Sequence, residues 1–153
     1  MQSAPLEPRT EPLTAVLLSE LRDAHAKLLK TMAELDTLAR GPVPPTSEVG
    51  DARWNISRAS LGRRTLWHSI HRHLSASALE ENAIELQRLN QSDMTLLRAS
   101  SEHISKCNIT AIMQDWQSYS AASNAIRWKM KAAIGIEQRV LYPLMETVAP
   151  QGR

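Results

Sequence analysis

A chain of 153 residues is long enough to bury one core and short for two domains. Apolar residues make up 42% of it, which excludes wholesale disorder, and a formal net charge of +2 makes no electrostatic case for a dedicated nucleic-acid binder. The single cysteine, Cys107, excludes an internal disulfide and a multi-cysteine zinc site, and no apolar run is long enough for a membrane span.

Residues 1–11, with prolines at 5 and 8, read as a disordered lead. They lack a basic stretch followed by an apolar one, so no signal peptide is expected and the cytoplasm is the default location. A single domain is expected over 12–147, with a frayed tail at 148–153. Its first helix spans about 12–40, where Leu17, Leu18, Leu21, Leu28, Met32, Leu35 and Ala39 recur with a 3.6-residue period and His25 falls inside the stripe. Gly41-Pro42 stops it, and Ser47 reads as the N-cap of a second helix over about 48–74. That helix has the stripe Ile56, Ala59, Arg63, Leu66/Trp67, Ile70 and Leu74, which includes an arginine. Ser75-Ala76-Ser77 reads as a break, with Ser77 and Glu80 forming a capping box for a third helix over about 78–107. Asn108 and Thr110 suggest a kink or a short separate helix through Trp116. A last helix starts near Ser118 or Ser120 and runs to about 146, with the stripe Ile126, Met130, Ala133, Glu137, Val140/Leu141 and Leu144. Here a glutamate sits among apolar positions. No segment alternates with period two, so no sheet is expected. Four long amphipathic helices with short connections favour an all-α, antiparallel up-down-up-down four-helix bundle.

The chain also resembles itself. Arg53-Trp54 recurs as Arg127-Trp128, 74 residues on. At that offset Ile56 falls on Met130, Ala59 on Ala133 and Ile70 on Leu144, and the two misplaced charges, Arg63 and Glu137, coincide. Leu18 to His25 aligns with Leu96 to His103 at an offset of 78. A duplicated helix pair related by a pseudo-twofold is the expectation.

These residues resemble hemerythrin-like (HHE cation-binding) domains over about 13–147. The pattern of that family is a lone His, a His-x3-Glu, a second lone His and a second His-x3-Glu followed by an apolar-aromatic-Pro run. Glu137-Gln-Arg-Val-Leu-Tyr-Pro143-Leu matches the last run, and His25 and His103 match the lone histidines. The resemblance implies a four-helix bundle with a di-iron site in its core. However, the histidines of both His-x3-Glu motifs are replaced, by Ala59 and Ala133, and Arg63 replaces one glutamate. An arginine stays protonated and cannot ligate a metal. The expectation is therefore a bundle without its di-iron site, acting as a non-catalytic binding or regulatory module, with no cofactor favoured.

Within that bundle the reading places Arg63 and Glu137 together as a buried ion pair, with His25 and His103 hydrogen-bonded around it. A rim position for Glu137, with Arg63 reaching into water, is the plainer alternative. Two further readings stand beside it: a metal site using His25, His103 and Glu137 for iron or oxygen handling, and a small-anion or carboxylate sensor anchored by Arg63. The run His68, His71, Arg72, His73 reads as a solvated helix end, Trp54, Trp116, Trp128 and Tyr119 as packing residues, and Cys107 as a small core residue. The expected partner is an unknown protein, a second copy or a small anion, with neither nucleic acid nor membrane. No phosphate loop, nucleophile elbow or zinc-protease motif is present in the sequence, and no enzymatic activity is expected.

Overall fold

Apolar side chains every three or four residues, with few glycines to interrupt them, fold the chain into helices. In a computed structural model, residues 10–77 and 80–148 are described, with the side chains of 13–76 and 82–148. The elements are α1 (Thr10–Arg40), α2 (Thr46–Ser77), α3 (Glu80–Lys106), the short α4 (Ile109–Gln114) and α5 (Trp116–Val148), with no strand among the described residues. No helix is long and apolar enough to cross a membrane. The expected lead and tail lie largely outside the described residues. Where they overlap them, the first helix begins two residues early, at Thr10, and the last reaches Val148.

The helix ends correct several boundaries. The second helix begins before Ser47, because the carbonyl of Pro45 already accepts from the amides of Glu48 at 3.0 Å and Val49 at 3.2 Å. It also runs through Ser75-Ala76 to Ser77, since serines lower helix propensity without removing a backbone bond. The Ser77/Glu80 capping box falls on side chains outside those described. The short separate helix exists as α4, capped by the Asn108 side chain, which accepts from Ala111 N at 2.8 Å. The last helix begins at Trp116, ahead of the expected serines, because Asp115 caps it. Its carboxylate accepts from the Ser118 amide at 3.1 Å and the Ser118 hydroxyl at 2.7 Å. Those two bonds hold the Asp115 carboxyl below its ordinary range.

The long helices form a bundle in which α1 packs against α2 and α5, and α3 packs against the same two. Thr14 of α1 meets His73 of α2, while Leu28 and Met32 share a cluster with Ala59. Arg22 meets Glu146 of α5, and Asp36 meets Arg127. Trp67 of α2 meets Asn90 of α3, and Arg63 meets Asp93. In each pair, numbering rises along one helix as it falls along the other.

The core is layered. One apolar cluster gathers Leu17, Leu21, Trp67, Ile70, Leu86 and Leu141 with their neighbours. A second gathers Leu28, Met32, Ala59, Met130 and Ile134. A third, around α4, joins Val49, Ile112, Trp116 and Tyr119. Each fully buried large apolar side chain stabilises the fold by about 1.5–3 kcal/mol. The first two clusters are contributed by the same stripes, and each stripe is interrupted between them by one polar residue.

Candidate functional site

The interruptions meet. His25 lies between Leu21 and Leu28 on α1, Arg63 between Ala59 and Trp67 on α2, and Glu137 between Ile134 and Leu141 on α5. The fourth is Asp93 of α3, between Leu89 and Leu96. Three or four residues is one helical turn, so a residue at that spacing within a stripe must face the axis. All four are buried: His25 is 1% exposed, Arg63 and Glu137 4% each, and Asp93 6%.

Arg63 organises the layer. Its Nε donates to Glu137 Oε2 at 3.3 Å and its Nη2 donates to Glu137 Oε1, so one edge of the guanidinium forks onto both carboxylate oxygens. Its Nη1 donates to Asp93 Oδ1 at 3.0 Å. Burial works against the guanidinium charge, but Glu137 and then Asp93 more than offset it and raise its pKa above the ordinary value. His25 completes the ring. Its Nε2 lies 2.5 Å from Glu137 Oε2, and because a carboxylate only accepts, this nitrogen carries the proton. Its Nδ1 lies 2.6 Å from the hydroxyl of Tyr142, which leads outward to Arg22, 5.2 Å above the phenol ring. Burial pushes the Tyr142 phenol up from its ordinary value.

Of the four expected site residues, the structure brings together His25, Arg63 and Glu137. His103 is elsewhere: it lies ten residues beyond Asp93 on α3, about 15 Å further along the helix axis. There its ring stacks on Tyr119 at 5.7 Å and its Nδ1 is 3.7 Å from Cys107 Sγ. Burial, and then the charges of Arg53 and Arg127, lower its pKa. Asp93 and Tyr142 were not anticipated. Asp93 had a readable signal, a carboxylate inside the apolar stripe of its helix, as Glu137 is in its own.

The layer has little to offer a metal or an anion. Among the described residues no three His, Cys, Asp or Glu side chains are grouped to hold a metal ion. Both carboxylates already accept from a cation that cannot ligate. An anion at Arg63 would have to displace one of them, because Nε, Nη1 and Nη2 all donate to Glu137 or Asp93.

The remaining features divide. Trp116 and Tyr119 are buried packing residues, but Trp54 is 64% exposed and Trp128 71%, so these two are not. The first is covered on one side by Arg58, 5.8 Å above its ring. His68 is exposed, whereas His71 packs against Trp67 and the His73 Nε2 lies 2.6 Å from Thr14 Oγ1, so the run is only partly solvated. Cys107 is half-buried against α4, because the chain leaves α3 at that point.

A second place gathers charge. Arg127 on α5, 2% exposed, donates from Nε to Asp36 at 2.6 Å and from Nη1 to the Ser123 hydroxyl, and Lys131 shares Asp36 at 2.7 Å. Burial alone would raise the Asp36 carboxyl, but hydrogen bonds and charge from Lys131 and Arg127 hold it below its ordinary value. Beside Arg127, a cavity of about 270 Å³ opens among α2, α3 and α5.

Comparison with known proteins adds no relative to this geometry: no family model matches the chain, and no curated protein or solved structure matches it.

Proposed function

We propose that this chain is a non-catalytic, hemerythrin-like up-down-up-down bundle whose di-iron site has been replaced by an Arg–Glu–Asp–His layer, and that it serves in the cytoplasm as a binding or regulatory module. The observation that carries this reading is the Arg63 guanidinium, seated between Glu137 and Asp93 at the level where one polar residue from each long helix converges. The reversed numbering of contact pairs across neighbouring helices supports the up-down arrangement. The pseudo-twofold is supported by Arg63 and Glu137, which stand 74 residues apart like the Arg-Trp pairs and face each other. Iron does not fit these residues. Ala59 and Ala133 stand where imidazoles would ligate, His103 is remote, and the guanidinium supplies the positive charge that a metal would bring.

Elemental analysis of tag-free protein, as purified and after anaerobic Fe(II) loading, tests the reading. The expected result is no stoichiometric metal in either sample. One or two metals per chain, lost in His25→Ala, would overturn it. Arg63→Glu extends the test: three carboxylates and an imidazole would then face one another, so the metal-free variant should be destabilised and should acquire metal affinity. No change in either property would remove the layer from any account of function.

A further inference from the structure

The buried layer around Arg63 is closed, whereas the cavity among α2, α3 and α5 is not. Its wall carries Arg53, Arg64 and Arg127 and no Asp or Glu. Arg53 and Arg64 are half-buried, and neither has a hydrogen-bonding or ion-pair partner among the described residues. Arg127 is nearly inaccessible, yet its Nη2 has no partner there either; only Nε and Nη1 are taken. That nitrogen is not sealed from solvent, so its donor stands open to water or to a ligand. The hydroxyls of Ser57, Ser60 and Ser100 line the same cavity and could accept or donate toward a ligand. Ser101, Ser123, His103 and Tyr119 also line it, and its apolar part includes Ile56, Leu97, Ile126 and Met130, with the exposed Leu61 and Ile104.

An apolar cavity with a few convergent polar groups is the usual form of a small-molecule site. Its capacity is set by comparison with a cavity of about 150 Å³, which holds a benzene. A space of about 270 Å³ therefore takes one ring and a short arm. A guanidinium fork matches a carboxylate's two oxygens, whereas a free phosphate would leave the apolar wall bare.

We propose that this cavity is a binding site for a small carboxylate with an apolar ring or branched body. The carboxylate meets Arg127 Nη2 and the unpaired Arg53 and Arg64, and the body lies against Ile56, Leu97, Ile126 and Met130. The site is separate from the Arg63 layer, and it gives the proposed binding module a ligand class.

The test uses 3-phenylpropanoate, with the neutral 3-phenylpropanol and inorganic phosphate as comparisons, by NMR titration of the full chain. The expected result is saturable binding of the acid, at least tenfold weaker for the alcohol and for phosphate. Shifts should fall on His103, Tyr119 and Met130, and not on His25 or Tyr142. Arg53→Gln and Arg64→Gln, at half-exposed positions with no hydrogen bond or ion pair among the described residues, should each weaken binding at least tenfold. Ser60→Leu should abolish it by filling the space, with an unchanged circular dichroism spectrum verifying that the variant folds. Equal binding of acid and alcohol, indifference to both arginine substitutions, or no saturation at millimolar acid would overturn the proposal. Shifts centred on His25 and Tyr142 would overturn it too and would return the anion to Arg63. The metal analysis above is independent of all these outcomes, so failure here leaves the reading of the core intact, and the converse holds as well.

Discussion

Arg63 and Arg127 are buried almost equally, at 4% and 2% exposure, and end in different circumstances. Three helices converge on Arg63 with two carboxylates and an imidazole, and its three nitrogens all donate to those carboxylates. Arg127 has one carboxylate, shared with Lys131, and a serine. Burial therefore does not distinguish a structural arginine from one available to a ligand. The number of acceptors that neighbouring helices deliver does so, because a buried donor must be satisfied from within or from outside.

Three changes would break or sharpen this contrast. Arg63→Met has the largest expected effect. It strands Glu137 and Asp93 without their cation, and breaking a buried pair in this way costs about 3–5 kcal/mol. Chemical denaturation should show the midpoint falling accordingly, and a loss below about 1 kcal/mol would mean that the layer is not an organised ion pair. Gly62→Ala comes next, and with the opposite sign. Gly62 sits inside α2 beside Arg63, with nothing within 4 Å of an added Cβ, so alanine should raise stability by about 0.5–1 kcal/mol. Binding of 3-phenylpropanoate should be unchanged in that variant.

The smallest effect belongs to His103, which is half-exposed. Its folded pKa is lowered from 6.5 by burial and by Arg53 and Arg127, so the unfolded chain takes up its proton first as pH falls. Stability should therefore decline as pH drops through about 6.5 and below, and His103→Gln should decline less over that window. Parallel curves for the two proteins would show that the imidazole does not feel the cationic cavity.

Much of the core layer was legible in the stripes. Arg63 and Glu137 were conspicuous because a charge at an apolar position of an amphipathic helix must face inward or distort the pattern. His25 was legible for the same reason. Asp93 satisfied the same criterion on α3, between Leu89 and Leu96, but an imidazole was expected from that helix, and His103 has one. The error was first one of level: His103 follows Asp93 by nearly three turns. The cationic cavity left a weaker trace. Arg53 and Arg64 look like ordinary surface residues, and Arg127 was noted only as half of a repeated Arg-Trp pair.

The sequence by itself determined the helices, their approximate ends and most of the residues that face the axis, because period, caps and breakers act over a few neighbours along the chain. It also set a cation and an anion within the apolar stripes of two helices, and the structure decided between a core and a rim position by burying both. Only the tertiary structure decided which residues share a level, for Glu137 is 112 positions from His25 and 74 from Arg63. Axial register between helices is fixed by how side chains interlock across the bundle, and no local periodicity carries that information. For the same reason only the assembled bundle has the cavity: it is the space left where α2, α3 and α5 do not close on one another.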